Sequence, residues 1–115
     1  MTAQYDNLEI YSLKAELCKT FADPKRLMIL NELRGGEKSV GELAGAIGFD
    51  HAIISRQLGI LREKGVVKFR REGTTVYYRI ADTKIIEACD LVHAILVNQI
   101  EENREVTDRL VSNQY

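Results

Sequence analysis

Cys89 and His93 stand four residues apart, a spacing that puts both side chains on one face of a helix. Cys18 is the only other thiol, 71 positions earlier. Two thiolates and an imidazole would suit a soft ion or metalloid. Two thiols alone can bridge in response to an oxidant, as a disulfide or persulfide-type link. Both cysteines also lie on apolar stripes, where a free thiol packs as a small hydrophobe. His93 serves as readily as an interfacial hydrogen-bonding residue. The residues demand no cofactor; the one they would accept is a thiophilic metal or metalloid ion.

A second chemistry is carried by charge. Residues 24–79 hold eleven Lys/Arg against six Asp/Glu and are +5. Residues 1–23 are −2, with two basic groups against four acids, and residues 80–115 are −4, with three against seven. The whole-chain pI of about 6.1 hides this asymmetry. A basic middle between acidic ends is the footprint of a surface for polyanions.

The elements that must position these groups follow from periodicity. Residues 8–22 read as a helix with two apolar stripes, Leu13/Leu17/Phe21 and Leu8/Tyr11/Ala15/Cys18/Ala22, as though gripped from two sides. Asp23-Pro24 stops it and starts a second helix to about Arg34, with Leu27, Leu30 and Leu33 inward and Met28 and Ile29 widening the face. Gly35-Gly36 ends it. Ser39 and Glu42 form a capping box for a third helix, and Gly48 allows a sharp turn. Asp50 caps a fourth helix, to Lys64, whose inward stripe is Ile54, Leu58 and Leu61.

Two strands come next, Val66–Arg71 and Thr74–Ile80, around a Glu72-Gly73 turn. That turn would pair 71 with 74, 69 with 76 and 67 with 78. Asp82 caps a last helix striped by Ile85, Cys89, Val92 and Leu96, with Ile100 near its end and a polar tail from Glu101 expected to fray. The fold class is mainly α with a small β-hairpin (α+β): a winged helix-turn-helix of about five helices with a two-stranded wing and a helical dimer interface. Residues 1–115 make one domain, with dimerisation helices at 8–22 and 82–105, the helix-turn-helix at 39–64 and the wing at 66–80.

A helix fits the major groove, where its N-terminal residues reach base edges. Here those are His51, Ala52, Ser55 and Arg56, with Gln57 beside them. Arg56 suits a bidentate contact to guanine. Gln57 suits adenine, a phosphate or the neighbouring helix. The hairpin would lay Lys68, Arg70, Arg71 and Thr74 along the backbone or in the minor groove. Such phosphate contacts give affinity with little sequence choice.

With these motifs in hand, the chain resembles the ArsR/SmtB repressors. The resemblance spans about residues 12–100 and rests on Ser39–Ala44, on Ile54–Val67 and on Arg70–Tyr78. It implies a homodimer built on the first and last helices, an operator bound by the apo form, and release on inducer binding. Two metal sites of that family are vacant. The positions of its helix-three cysteine box hold Ala44, Ala46 and Phe49. Its last-helix zinc site keeps Asp82, but Lys84, Ile95 and Asn98 fill the rest, and an ammonium and an apolar side chain do not bind zinc.

The remaining bounds are brief. The first residues are polar and show no basic-then-apolar pattern, so no signal peptide is expected, and Leu91–Val97 is too short to span a bilayer. A cytoplasmic chain with reduced thiols, no membrane partner, and double-stranded DNA and a second copy as partners is the expectation. Two alternatives stay in view: a winged-helix protein-interaction module, towards which Ile53 leans, and a repressor with no thiol-based sensor. An enzyme built on Cys89 and His93 has no positioned third group, so no catalytic residue is assigned.

Overall fold

A computed structural model describes residues 6–114; residues 1–5 and 115 of the expected domain lie outside the described residues. In chain order the elements are α1 (Asn7–Thr20), α2 (Pro24–Glu32), a 3-10 turn (Leu33–Gly35), β1 (Lys38–Ser39), α3 (Val40–Ile47), α4 (His51–Glu63), β2 (Val67–Glu72), β3 (Thr75–Ile80) and α5 (Lys84–Gln114). The caps explain the boundaries. Asp6 and Glu9 form a capping box at the start of α1, and Asp23 accepts from the Lys25 and Arg26 amides at the start of α2, where Pro24 takes the first position.

The core is small and central. Ile29, Leu30 and Leu33 meet Leu43 and Ala44 of α3, Ile54, Leu58 and Leu61 of α4, Val66 just before the sheet, and Val67 and Tyr78 within it. The inward face of α2 is set by Ile29, Leu30 and Leu33. Leu27 and Met28 are exposed, contrary to expectation. Steps of three residues drift by about 60° each, so a 27–30–33 row leaves the buried face at one end.

The wing differs from the sequence reading in register. Phe69 lies opposite Tyr78, Val67 opposite Ile80 and Glu72 opposite Thr75, which leaves Gly73-Thr74 as the loop. Gly73 has φ +62°, and among the described residues only glycines have positive φ. A two-residue loop with glycine first and an ordinary residue second is the II′ pattern. The expected Glu72-Gly73 loop would have put glutamate at the position that needs positive φ. The slip is two residues, so every side chain keeps its face, and alternation alone cannot detect it.

Two further features were not anticipated. Lys38 and Ser39 add a third strand beside β3, giving the order β1-β3-β2; two residues carry no alternation to read. The tail does not fray: α5 continues to Gln114. No Gly or Pro interrupts it, and Glu105 and Arg109 have the favourable i, i+4 order.

α1 and α5 reach away from this core. The radius of gyration is 18.7 Å, against about 13 Å for a compact chain of this length. Leu8 and Leu91 are 75% and 67% exposed, and Tyr11, Leu13, Leu17, Val92, Ile95, Leu96 and Ile100 are exposed with them. Such apolar faces are the mark of an interaction surface.

Candidate nucleic-acid interface

The geometry of the helix-turn-helix comes from three local devices. The Ser39 hydroxyl accepts from the Glu42 amide at 3.1 Å while the Glu42 carboxylate accepts from the Ser39 amide at 3.1 Å. Gly48, at φ +89°, ends α3 in the left-handed conformation, its N–H bonded to the Ala44 carbonyl at 2.9 Å. The Asp50 carboxylate then accepts from the Ile53 amide at 3.0 Å and opens α4. With Ile54, Leu58 and Leu61 in the core, the opposite face must look outward.

That outer face carries Ala52, Ser55 and Arg56, and His51 stands beside it in the first turn; all four are exposed. The His51 ring leans over the start of α3, where a methyl added at Gly41 would meet it at 3.5 Å. Arg56 has no hydrogen-bond or ion-pair partner among the described residues. Gln57 leaves the expected reading set and takes the other partner expected for it, the neighbouring helix. Its side chain is buried, and its Oε1 accepts from Arg26 Nη1 at 2.9 Å. The reason is angular: at about 100° per residue, Gln57 lies roughly 40° beyond Leu61, at the edge of the inward stripe.

The wing presents Lys68, Arg71 and Thr74 to solvent. Lys68 faces Arg79 across the strands. That like-charge pair was hidden by the misplaced register, so Arg79 was missing from the expected contact set. Arg70 is exposed but engaged. Its Nε donates to Glu37 at 2.9 Å, its Nη1 donates to Glu72 at 2.9 Å, and its guanidinium lies 4.7 Å over the Tyr77 ring. The hydrogen bond from Arg70 holds the Glu37 carboxyl below the usual carboxylate range. Two carboxylates on one guanidinium leave no free positive charge there, so Arg70 differs from its wing neighbours. Arg62 stacks at 4.9 Å on Phe69 and ties the end of α4 to the wing.

Cys18, Cys89 and His93 share one open groove of about 1070 Å³ between α1, α2 and α5, with Leu17, Phe21 and Met28 among its walls. The spacing rule foresaw the face shared by Cys89 and His93; the entry of Cys18 comes from helix packing. Cys18 is exposed and Cys89 half-buried. Burial, and secondarily the Asp90 carboxylate, pushes the Cys89 thiol up. Its thiolate fraction at neutral pH is reduced accordingly. Among the described residues no three His, Cys, Asp or Glu side chains converge as a metal site.

A family model described as bacterial regulatory protein, arsR family, matches residues 23–68. The HTH-type transcriptional regulator Rv0081 of Mycobacterium tuberculosis is 38% identical over 102 residues, covering 88% of this chain and 90% of that protein. Its crystal structure superposes with a TM-score of 0.75 over 86% of this chain and 98% of that one. The biofilm growth-associated repressor of Agrobacterium fabrum is 43% identical over 81 residues, 70% of this chain and 69% of its own. The solution structure of Mb0332 from Mycobacterium bovis, described as a homodimeric winged helix-turn-helix DNA-binding domain, is 35% identical. It superposes with a TM-score of 0.71 over 84% of this chain and 90% of that one.

Proposed function

The chain belongs to the arsR family of bacterial regulatory proteins, and on that premise we propose that it is a homodimeric, sequence-specific repressor that binds double-stranded DNA. Residues 8–22 and 82–105 form the dimer contact, 39–64 the helix-turn-helix and 66–80 the wing. The observation that carries this reading is the division of α4. Ile54, Leu58 and Leu61 fix the helix in the core, which leaves Ala52, Ser55 and Arg56 free on the opposite face and His51 exposed at the helix start. A helix so anchored can enter a major groove without unfolding anything.

Each group then has a role. Arg56 reads a base edge, with Ser55, Ala52 and His51 lining the same groove. Lys68, Arg71 and Thr74 neutralise or hydrogen-bond phosphates, with Arg79 added to that set. Gln57 and Arg70 serve the scaffold. Two-fold pairing through the apolar faces of α1 and α5 sets two reading helices about one helical turn of DNA, roughly 34 Å, apart. No described helix is long and apolar enough to cross a membrane, and a cytoplasmic setting with reduced thiols belongs to the same proposal.

The test is a duplex selected by the protein from a random pool, titrated against salt. Affinity should fall with a log–log slope of about −0.9 for each phosphate neutralised. A monomer that selects no duplex at low ionic strength would end this reading.

Release is proposed to run through the groove that holds Cys18, Cys89 and His93. The support is that both thiols and the imidazole line one wall system next to the dimer faces. A thiophilic metal or metalloid ion and a thiol-reactive oxidant both suit that residue set.

A further inference from the structure

Arg26 spends its guanidinium on two helices at once. Its Nε donates to the Thr20 carbonyl at 2.6 Å and its Nη2 to the Lys19 carbonyl at 3.4 Å. Its Nη1 donates to Gln57 Oε1 at 2.9 Å. Lys19 and Thr20 close α1, where the last carbonyls of a helix have no partner within it and the macrodipole favours a cation. Gln57 stands in the middle of α4, one residue after Arg56. A second tie joins the same helices further on, Lys64 Nζ to Glu16 Oε2 at 3.9 Å. Apolar contact between α1 and α4 would tolerate sliding. A forked donor with three fixed acceptors does not.

We propose that Arg26 and Gln57 are positioning residues that lock the reading helix to the dimer-forming helix, and so set the half-site spacing the dimer accepts. This rests on the dimeric DNA-binding reading above. The geometry makes it matter. A tilt of roughly 5° over an arm of about 17 Å, half the usual separation of reading helices, moves a side chain by about 1.5 Å. Hydrogen-bond distances tolerate only a few tenths of that. Removing the clamp therefore relaxes spacing discrimination, whereas losing a direct base or phosphate contact weakens every spacing alike.

The experiment starts from a duplex selected by the wild-type protein, rebuilt with its central spacer one base pair shorter and longer. Wild type should prefer the selected spacer by roughly tenfold or more. Gln57→Leu and Arg26→Lys should bring that ratio to within about threefold, while Gln57→Glu, which keeps the acceptor, retains it. Thermal melting and sedimentation confirm that each variant is a folded dimer. If one fails, the other carries the test. Wild-type ratios in both Gln57→Leu and Arg26→Lys would overturn the proposal, as would a wild type indifferent to spacing. A wild type that selects no duplex at all would instead remove the repressor reading, and this inference with it.

Discussion

Arg34 and Asp90 meet in a bidentate ion pair, Nη2 to Oδ1 at 2.7 Å and Nη1 to Oδ2 at 3.0 Å, that fastens α5 to the 3-10 turn after α2. Both groups are exposed, and the fork geometry rather than burial gives the contact its direction. The hydrogen bond from Arg34 holds the Asp90 carboxyl below the usual carboxylate range. A depressed carboxylate contributes stability above its unfolded value and loses it as pH falls through the folded value. Asp90→Asn should therefore lower the melting temperature at pH 7, and the difference from wild type should close as pH drops below about 4. A gap that stays constant from pH 7 to pH 3 would show that the pair contributes nothing.

Arg56→Ala should cost roughly 1–3 kcal/mol at the selected duplex and leave the melting temperature unchanged. The side chain is exposed, so no fold energy depends on it. Binding isotherms on the selected and on a scrambled duplex check this. Equal losses on both would demote Arg56 to a phosphate contact.

Leu96→Glu should break the dimer. The side chain is half exposed on the single chain and lines the groove between α1, α2 and α5. A two-fold interface counts each substitution twice, and burying one leucine is worth about 1.5–3 kcal/mol. Dimer dissociation should strengthen at least about a hundredfold. Sedimentation equilibrium measures it, and an unchanged dimer would remove α5 from the interface.

Two glycine-to-alanine changes should have opposite signs. Gly73 sits at φ +62° in the wing loop, so alanine there should cost about 1–2 kcal/mol. Gly45 lies exposed inside α3 with nothing within 4 Å of an added Cβ, so alanine there should add about 0.5–1 kcal/mol. Denaturant midpoints report both. A neutral Gly73→Ala would contradict the II′ loop.

Cys18→Ser and Cys89→Ser should each bind the selected duplex like wild type yet resist release by diamide or polysulfide. Gel shift with and without oxidant decides. Normal release from both variants would leave the thiols as packing groups.

Much of the scaffold was legible because it is local. The Asp23-Pro24, Ser39/Glu42, Gly48 and Asp50 signals act within four residues, and each boundary they imply appears where expected. The outward residues of α4 were also readable, because a helix with a buried stripe has one free face. For Gln57 the pattern left adenine, a phosphate and the neighbouring helix all open; the choice depends on Arg26, 31 positions away.

The amino-acid pattern alone determined the order of helices, the basic middle and the two apolar end helices, since period, caps and charge are properties of neighbours along the chain. Tertiary structure alone decided the wing register, the pairing of Arg70 with Glu37, and the groove that gathers Cys18 with Cys89 and His93. Each of those depends on which distant surfaces come into contact. A two-residue slip or a small helix rotation leaves the sequence pattern satisfied while changing every long-range partner.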